Sequence, residues 1–263
     1  MNITKALIPV AGLGTRFRPI TKALPKEMLP IIDRPILDYI LDECRDSGIR
    51  DVWLIVGQDR DVIVNYYGNK KDGMNIHYIC QEEPLGLGHA ISLAEDVIQK
   101  EPFAVLLGDE IFPHQVPVTK RLMEGCQEKN QSFIGVKYVE TEEVSSYGIV
   151  DGLQDDAQIL ITYMVEKPEP DLAPSRIAAV GRYVLMPSIF PILKTLTPGK
   201  HGEMQLTDGL KLLLEQEGIT GIFLEGPRFD VGSKIGYILA NMDIAFHHEE
   251  YHDNMLDFIK KHI

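Results

Sequence analysis

Three features of the chain predict an α/β fold with a doubly wound, mainly parallel, Rossmann-like sheet. Short apolar runs alternate with segments of helical periodicity along the first half of the sequence, an order typical of parallel strands joined by right-handed crossovers. Glycine-rich segments follow two of these runs, at the position where ligands of such sheets bind. The chain has 263 residues, 44% of them hydrophobic, which is enough to bury a full core.

The first half reads as alternating strands and helices. The run 6–10 is apolar throughout and bounded by proline and glycine, as expected of a strand buried on both faces. Residues 35–47 place apolar side chains at helical spacing and are followed by Gly48, a residue that favours a helix end. By the same criteria strands are predicted at 6–10, 52–56, 75–80 and 103–107, and helices at 35–47, 59–67 and 88–98.

The second half is richer in strand-like runs separated by polar turns. This pattern predicts added β structure over the open edge of the sheet, followed by C-terminal helices. Strands are predicted at 133–139, 148–151, 159–165, 177–185 and 221–224, helices at 187–193, 203–215, 232–248 and 251–261, and loops at 151–156 and 166–174. We take residues 1–263 as a single domain with three parts, about 1–130, about 131–230 and 231–263.

Composition limits the classes of function. The formal net charge of −13 argues against a nucleic-acid partner, which needs a basic face. The sequence has no run near the ~20 apolar residues that span a bilayer, and its start leads directly into a strand, so we expect a cytoplasmic protein without a membrane partner. The three cysteines, Cys44, Cys80 and Cys126, form no C-x-x-C pair, which supports neither a disulfide framework nor a zinc site.

The loop after the first strand carries most of the functional information. Gly12 and Gly14 supply two glycines of a dinucleotide fingerprint, but Phe17 stands where the third glycine is required. Prolines at positions 19, 25 and 30 also oppose a continuous helix. Four cations lie within eleven residues of an acidic chain, namely Arg16, Arg18, Lys22 and Lys26. Because arginine and lysine suit phosphate oxygens, we interpret the segment as a phosphate-binding loop.

Two further segments suggest a base site and a metal site. Gln81 begins a glycine-containing turn before a helix, and its amide can offer a donor and an acceptor to one edge of a base, while Gly86 permits close backbone approach. Asp109 follows an apolar strand and Asp230 precedes a helix. Two carboxylates together with a triphosphate suit Mg²⁺. Glu110 is a weaker candidate because strand geometry directs it away from Asp109.

The segments 11–16, 19–30 and 81–90 resemble those of the sugar-1-phosphate nucleotidylyltransferases, and the spelling of 85–90 is similar to that of their uridylyl-transferring members. The resemblance implies transfer of a uridylyl group from UTP to glucose 1-phosphate, giving UDP-glucose and pyrophosphate, with Mg²⁺ held by Asp109 and Asp230. It implies three further groups of site residues: Ala11, Gly12, Gly14, Gln81 and Gly86 for the nucleotide; Arg16, Lys26 and Lys167 for the reacting phosphates; Gly148, Glu166 and Gly181 for the sugar, with Glu203 as a further sugar-side candidate.

On this resemblance the first part of the domain binds the nucleotide and the second part the sugar. One departure is the short connection from Gly57 to Asn75, where the uridylyl enzymes of the family carry a longer insertion that contributes to subunit contacts. A homo-oligomer therefore stays open, and so does a thymidylyltransferase that uses dTTP. A sensor of nucleotide sugars without turnover is a third alternative, although Arg16, Lys26, Asp109 and Asp230 are all present.

Overall fold

The computed structural model describes residues 2–58, 60–155, 157–199 and 202–262. Within them the strands are β1 (Lys5–Val10), β2 (Pro30–Ile31), β3 (Arg34–Pro35), β4 (Asp51–Val56), β5 (Lys70–Lys71), β6 (Met74–Cys80), β7 (Phe103–Leu106), β8 (Glu110–Ile111), β9 (Ser132–Tyr138), β10 (Gly148–Gln154), β11 (Gln158–Glu166), β12 (Ile177–Leu185), β13 (Ile219–Phe223) and β14 (Phe229–Asp230).

The helices of the same residues lie mainly between these strands. They are α1 (Ile36–Asp46), α2 (Asp61–Tyr67), α3 (Leu87–Ser92), α4 (Glu95–Ile98), α5 (Val118–Lys129), α6 (Ile189–Thr195), α7 (Leu206–Leu214), α8 (Lys234–His247) and α9 (His252–His262). None of the described helices combines the length and apolarity needed to cross a membrane.

Ten strands form one sheet in the order β10-β11-β13-β9-β12-β7-β1-β4-β6-β5. Strands β7, β1, β4 and β6 pair in parallel, which confirms the Rossmann-like α/β class. Strand β12 runs antiparallel between β7 and β9, so the added β structure continues the same sheet rather than covering it. The carboxyl ends of β1, β6 and β7 consequently meet at one edge.

Helices cover both faces of the sheet and divide the core in two. In β1, Ala6, Ile8 and Val10 pack in one core with residues of α1 and α5. Leu7 points the other way, into a core shared with α3, α6 and α7. Because both faces of β1 are buried, the strand is apolar from Ala6 to Val10.

The structure corrects the sequence-based elements in four places. The predicted helix 88–98 is two helices, since Ala94 leaves helical geometry. The predicted loop 151–156 is mostly strand, because β10 continues to Gln154 after an irregularity at Asp151/Gly152; Asp156 lies outside the described residues. The predicted helix 203–215 begins only at Leu206. Helix α5 and the β8–β14 pair were not predicted.

The predicted bounds of the other helices and strands agree with the observed bounds within a few residues. The helix expected at 59–67 is described from Asp61, and Asp59 lies outside the described residues. Cys44, Cys80 and Cys126 are free thiols, and Cys44 and Cys126 are buried, in agreement with the expected lack of a disulfide framework.

Candidate active site

A cavity of about 570 Å³ opens at the edge of the sheet where β1, β6 and β7 end. Nine of the predicted site residues line it, namely Ala11, Gly12, Gly14, Arg16, Lys26, Gln81, Gly86, Asp109 and Lys167. Glu27, Glu203 and Gly232 also contribute to its wall. Tertiary structure thus brings together the loop, base and metal segments that the sequence places far apart.

The loop after β1 is a series of tight turns rather than a helix, as its prolines predict. Gly14 adopts a left-handed conformation with φ 57°, and the Thr21 hydroxyl donates to its carbonyl over 2.7 Å. A Cβ at Gly14 would lie 3.0 Å from Thr21 Cγ2, so this glycine shapes the loop. A Cβ at Gly12 would make only an ordinary 3.5 Å contact with Lys26. The missing side chain at Gly12 therefore leaves room for a ligand.

The four loop cations line two adjoining cavities. Arg16 and Lys26 line the cavity just described. Arg18 and Lys22 line a second cavity of about 680 Å³ together with Arg60. Lys26 and Gly12 line both cavities, so the two share a wall at this loop.

Lys26 and Asp109 form an ion pair at the base of the first cavity. Lys26 Nζ donates to Asp109 Oδ2 over 2.5 Å. Burial alone lowers the pKa of Lys26, but the carboxylates of Asp109 and Glu27 outweigh it and raise that pKa. Burial likewise raises the pKa of Asp109, and the Lys26 charge reverses the effect and lowers it. Both groups are therefore held in their charged forms.

Asp230 converges on the same point as Asp109. A Cβ at Gly232 would lie 2.8 Å from Asp109 Oδ2 and 3.0 Å from Asp230 Oδ1, so both carboxylates border the space that this glycine leaves free. Burial, followed by the charges of Asp109 and Glu110, raises the pKa of Asp230. A cation between the two carboxylates would relieve this repulsion.

The donor set fits a hard divalent ion that completes its shell with substrate oxygens. Two carboxylates are the usual protein contribution to Mg²⁺ when phosphates and water supply the rest. No group of three or more His, Cys, Asp or Glu side chains forms a metal site among the described residues.

Glu110 serves a different contact, as strand geometry predicts. Its Oε2 accepts from Arg228 Nε over 2.7 Å. The Arg228 guanidinium lies 4.8 Å above the Tyr147 ring and donates to the Tyr147 hydroxyl over 3.3 Å. Arg228 thereby joins the strand that carries Asp230 to the segment before Gly148. Its role was missed in the sequence, where its position two residues before Asp230 was the available signal.

Two of the predicted sugar-side residues, Gly148 and Glu166, lie beside each other where β10 begins and β11 ends. Gly148 pairs with Glu166, and Glu166 Oε1 lies 3.2 Å from Lys167 Nζ. The Lys167 amide donates to the Tyr147 carbonyl over 3.0 Å. A Cβ at Gly148 would come within 2.7 Å of Thr207 Oγ1, so the segment that begins α7 packs directly on this site.

The packing of the protein itself explains why position 181 is a glycine, without reference to a ligand. A Cβ there would lie 2.8 Å from Leu107 Cβ and 3.0 Å from the Glu110 carboxyl carbon. The glycine therefore allows β12 to approach the end of β7. Gly148, Glu166, Gly181 and Asp230 are not among the residues that line the first cavity.

The Gln81 side chain departs from its expected role in one respect. Its amide nitrogen donates to the Gly86 carbonyl over 3.2 Å and lies 3.0 Å from His89 Nδ1. The nitrogen is thus engaged within the protein, and the expected donor to a base is corrected. The amide oxygen has no hydrogen-bond partner in the described part of the chain, and it is the group that remains for a ligand.

The fold and this site define a nucleotidyl transferase. The family model described as nucleotidyl transferase matches residues 5–246, and the chain belongs to that family. It is 41% identical to UTP–glucose-1-phosphate uridylyltransferase 2 of Staphylococcus saprophyticus, covering 99% of this chain and 98% of that protein. The alignment spans 283 positions, more than the chain is long, so the relative carries insertions with respect to it.

Two solved structures share the fold over nearly their whole length. A UDP-glucose pyrophosphorylase complexed with UDP-glucose has a TM-score of 0.89 and 36% identity, covering 94% of this chain and 100% of that one. The UTP-bound enzyme from Acinetobacter baumannii has a TM-score of 0.89 and 32% identity, covering 98% and 99%. These similarities confirm the resemblance that the loop segments indicated.

Proposed function

We propose that the chain transfers a uridylyl group from UTP to glucose 1-phosphate and releases pyrophosphate. The observation that carries the proposal is the Lys26–Asp109 ion pair beside Asp230, at the base of a glycine-lined cavity. The similar proteins support the choice of substrates, since one carries this name and two were solved with UDP-glucose or UTP.

The reaction needs no nucleophilic side chain. An oxygen of the sugar phosphate attacks the α-phosphorus of UTP, and the bond from that phosphorus to the bridging β-phosphate oxygen breaks. Catalysis then consists of alignment and charge stabilisation. Lys167 aligns the sugar phosphate, Lys26 stabilises negative charge at the α-phosphate, and Arg16 neutralises the departing pyrophosphate.

The remaining residues bind and orient the substrates. Ala11, Gly12 and Gly14 present backbone to the nucleotide, and Gln81 with Gly86 reads the base. Glu166 accepts from sugar hydroxyls, beside Gly148 and Gly181. Glu203, a further sugar-side candidate, lines the same cavity as Lys167.

Asp109 and Asp230 would hold Mg²⁺. When bound, the ion supplies charge neutralisation between the carboxylates and the phosphates of UTP. Lys26 Nζ, which pairs with Asp109 in this structure, lies beside the same carboxylates and would share the neutralisation of the phosphate charge.

Two alternatives have support of their own. The Gln81 amide oxygen accepts from an N–H, and both uracil and thymine present one at ring position N3. A thymidylyltransferase that uses dTTP is therefore the second candidate. A sensor without turnover would keep the pocket but would not need the charged groups Arg16, Lys26, Asp109 and Asp230, and their presence favours an enzyme.

One assay separates these functions. Pyrophosphate release is measured with Mg²⁺, glucose 1-phosphate and each of UTP, dTTP, CTP and ATP. We expect the highest kcat/KM with UTP. A higher value with dTTP would establish the thymidylyl alternative, and no release with any nucleotide would refute catalysis and favour the sensor. A single domain, a cytoplasmic location and a homo-oligomeric state stay predictions from the sequence.

A further inference from the structure

Both N–H groups of the Gln81 side chain have acceptors inside the protein. One faces the Gly86 carbonyl at 3.2 Å and the other faces His89 Nδ1 at 3.0 Å. A backbone carbonyl can only accept, so the nitrogen rather than the oxygen of the amide must point to Gly86. This contact therefore fixes which side of the Gln81 amide carries the nitrogen and which carries the oxygen.

The Gly86 carbonyl is itself held in place by a neighbouring segment. The Met204 amide donates to the Leu85 carbonyl over 2.7 Å, and the Gly88 amide donates to the Met204 carbonyl over 2.8 Å. Gly86 has φ +102°, and a Cβ there would lie 2.7 Å from the Met204 carbonyl oxygen. The turn 85–88 is therefore a rigid support for the first acceptor.

His89 supplies the second acceptor from the first turns of α3. For Nδ1 to accept from Gln81, the imidazole must be neutral and carry its proton on Nε2. Gln81 is buried, with 6% of its surface exposed, so an N–H that lost this acceptor would have poor access to water. An unsatisfied buried donor is costly.

We propose that His89 is a positioning residue for base recognition: it fixes the Gln81 amide with its oxygen towards the nucleotide, and so makes the site selective for uracil over cytosine. Uracil carries a hydrogen on N3 and can donate to this oxygen. Cytosine has an acceptor at N3, so two acceptors would face each other. The inference rests on the proposed function, in which Gln81 reads the base.

The test compares kcat/KM for UTP and for CTP in His89→Leu. Without the Nδ1 acceptor, the Gln81 amide rotates to satisfy its free N–H and presents a mixture of oxygen and nitrogen to the base. We expect the UTP/CTP ratio to fall by about tenfold, the effect of one hydrogen bond in a buried site. The KM for glucose 1-phosphate stays unchanged, because the sugar-side residues are untouched.

Three further variants separate positioning from general damage. His89→Phe keeps a ring but no acceptor and lowers the ratio in the same way, so the test does not depend on the folding of one variant. His89→Gln restores an acceptor oxygen and recovers most of the ratio. His77→Leu is the matched control, since His77 stacks on Trp53 with ring centroids 4.6 Å apart and does not line the cavity.

A double-mutant cycle completes the test. In a Gln81→Ala background, His89→Leu should not change the UTP/CTP ratio further, because its effect passes through Gln81. An unchanged ratio in both His89→Leu and His89→Phe, or an equal effect with and without Gln81, overturns the inference. Absence of turnover with UTP in the unsubstituted protein would instead refute the proposed function, so the two failures are distinguishable.

Discussion

Replacing Gly232 by alanine tests the proposal that Asp109 and Asp230 hold a metal ion between them. The added methyl group would lie 2.8 Å from one carboxylate oxygen and 3.0 Å from the other, closer than carbon and oxygen normally approach. The two side chains must separate by a few tenths of an ångström. Since a misplacement of about 1 Å can cost about 10² in rate, a shift of a few tenths of an ångström is expected to lower kcat by about three- to tenfold.

The same substitution should affect stability much less than catalysis. Overpacking typically costs about 1–3 kcal/mol, and the half-buried carboxylates can rotate towards the cavity, which places the expected loss at the low end of this range. The assay is pyrophosphate release over a range of Mg²⁺ concentrations, together with the midpoint of thermal unfolding. We expect the apparent Mg²⁺ affinity to weaken along with kcat.

Gly57→Ala is the matched control for this experiment. A Cβ at Gly57 would approach no atom closer than 3.7 Å. Its nearest neighbour is Ala11 of the loop after β1, so the control substitution also lies beside the site. We expect wild-type kinetics from Gly57→Ala. If Gly232→Ala keeps both the wild-type kcat and the wild-type Mg²⁺ dependence, the two carboxylates do not share an ion and the metal assignment is refuted.

Three other perturbations have defined outcomes. Lys167→Ala should raise the KM for glucose 1-phosphate by about ten- to a hundredfold, the loss of one charge-assisted contact, with little change in the KM for UTP; unchanged kinetics would remove Lys167 from the site. Arg182→Met should lower the free energy of unfolding by about 3–5 kcal/mol in denaturant titrations, because it leaves the buried Glu43 carboxylate, 2.8 Å away, without its cation; replacing Glu43 by leucine as well should recover part of the loss. Burial raises the pKa of Glu27 to about 8 from 4.5, so its contribution to stability is present below pH ~4.5 and is lost as the pH rises through about 8. Glu27→Gln should therefore remove a fall in unfolding free energy that the wild type shows across this interval, and an identical pH profile for the two proteins would contradict the shift.

The elements that could be predicted are those in which local pattern and tertiary packing agree. Strand β12 was predicted with the observed bounds, because nine consecutive buried positions leave a strong apolar signal. Helix α5 was missed, and Gly125 in its middle is one reason, since glycine weakens the local helical signal. The glycine is required because a Cβ would lie 2.4 Å from the Phe133 ring. The requirement for glycine at position 125 arises from the packing of β9 against α5, which the sequence of the helix does not reveal.

Prediction from the sequence had similar limits at the candidate active site. Side-chain chemistry and a position after a predicted strand or before a predicted helix were enough to propose the loop glycines, Lys26, Asp109 and Asp230 as site residues. Which cavity each cation lines was not predictable, since Arg16 and Arg18 are only two residues apart in the sequence and line different cavities. The hydrogen bonds of the Gln81 side-chain nitrogen to Gly86 and His89 were also not predictable, because the fold sets the distances between these groups.

The sequence by itself determined the α/β class, the phosphate loop and the residue types available for phosphate and metal, because these follow from local periodicity and side-chain chemistry. Tertiary structure alone decided which groups act together. It brought Asp230 to Asp109, joined Arg228 to Tyr147 and engaged the side-chain nitrogen of Gln81 with Gly86 and His89. Each of these contacts joins segments that are far apart in the sequence. Local sequence patterns do not specify the distance between such segments in the folded protein.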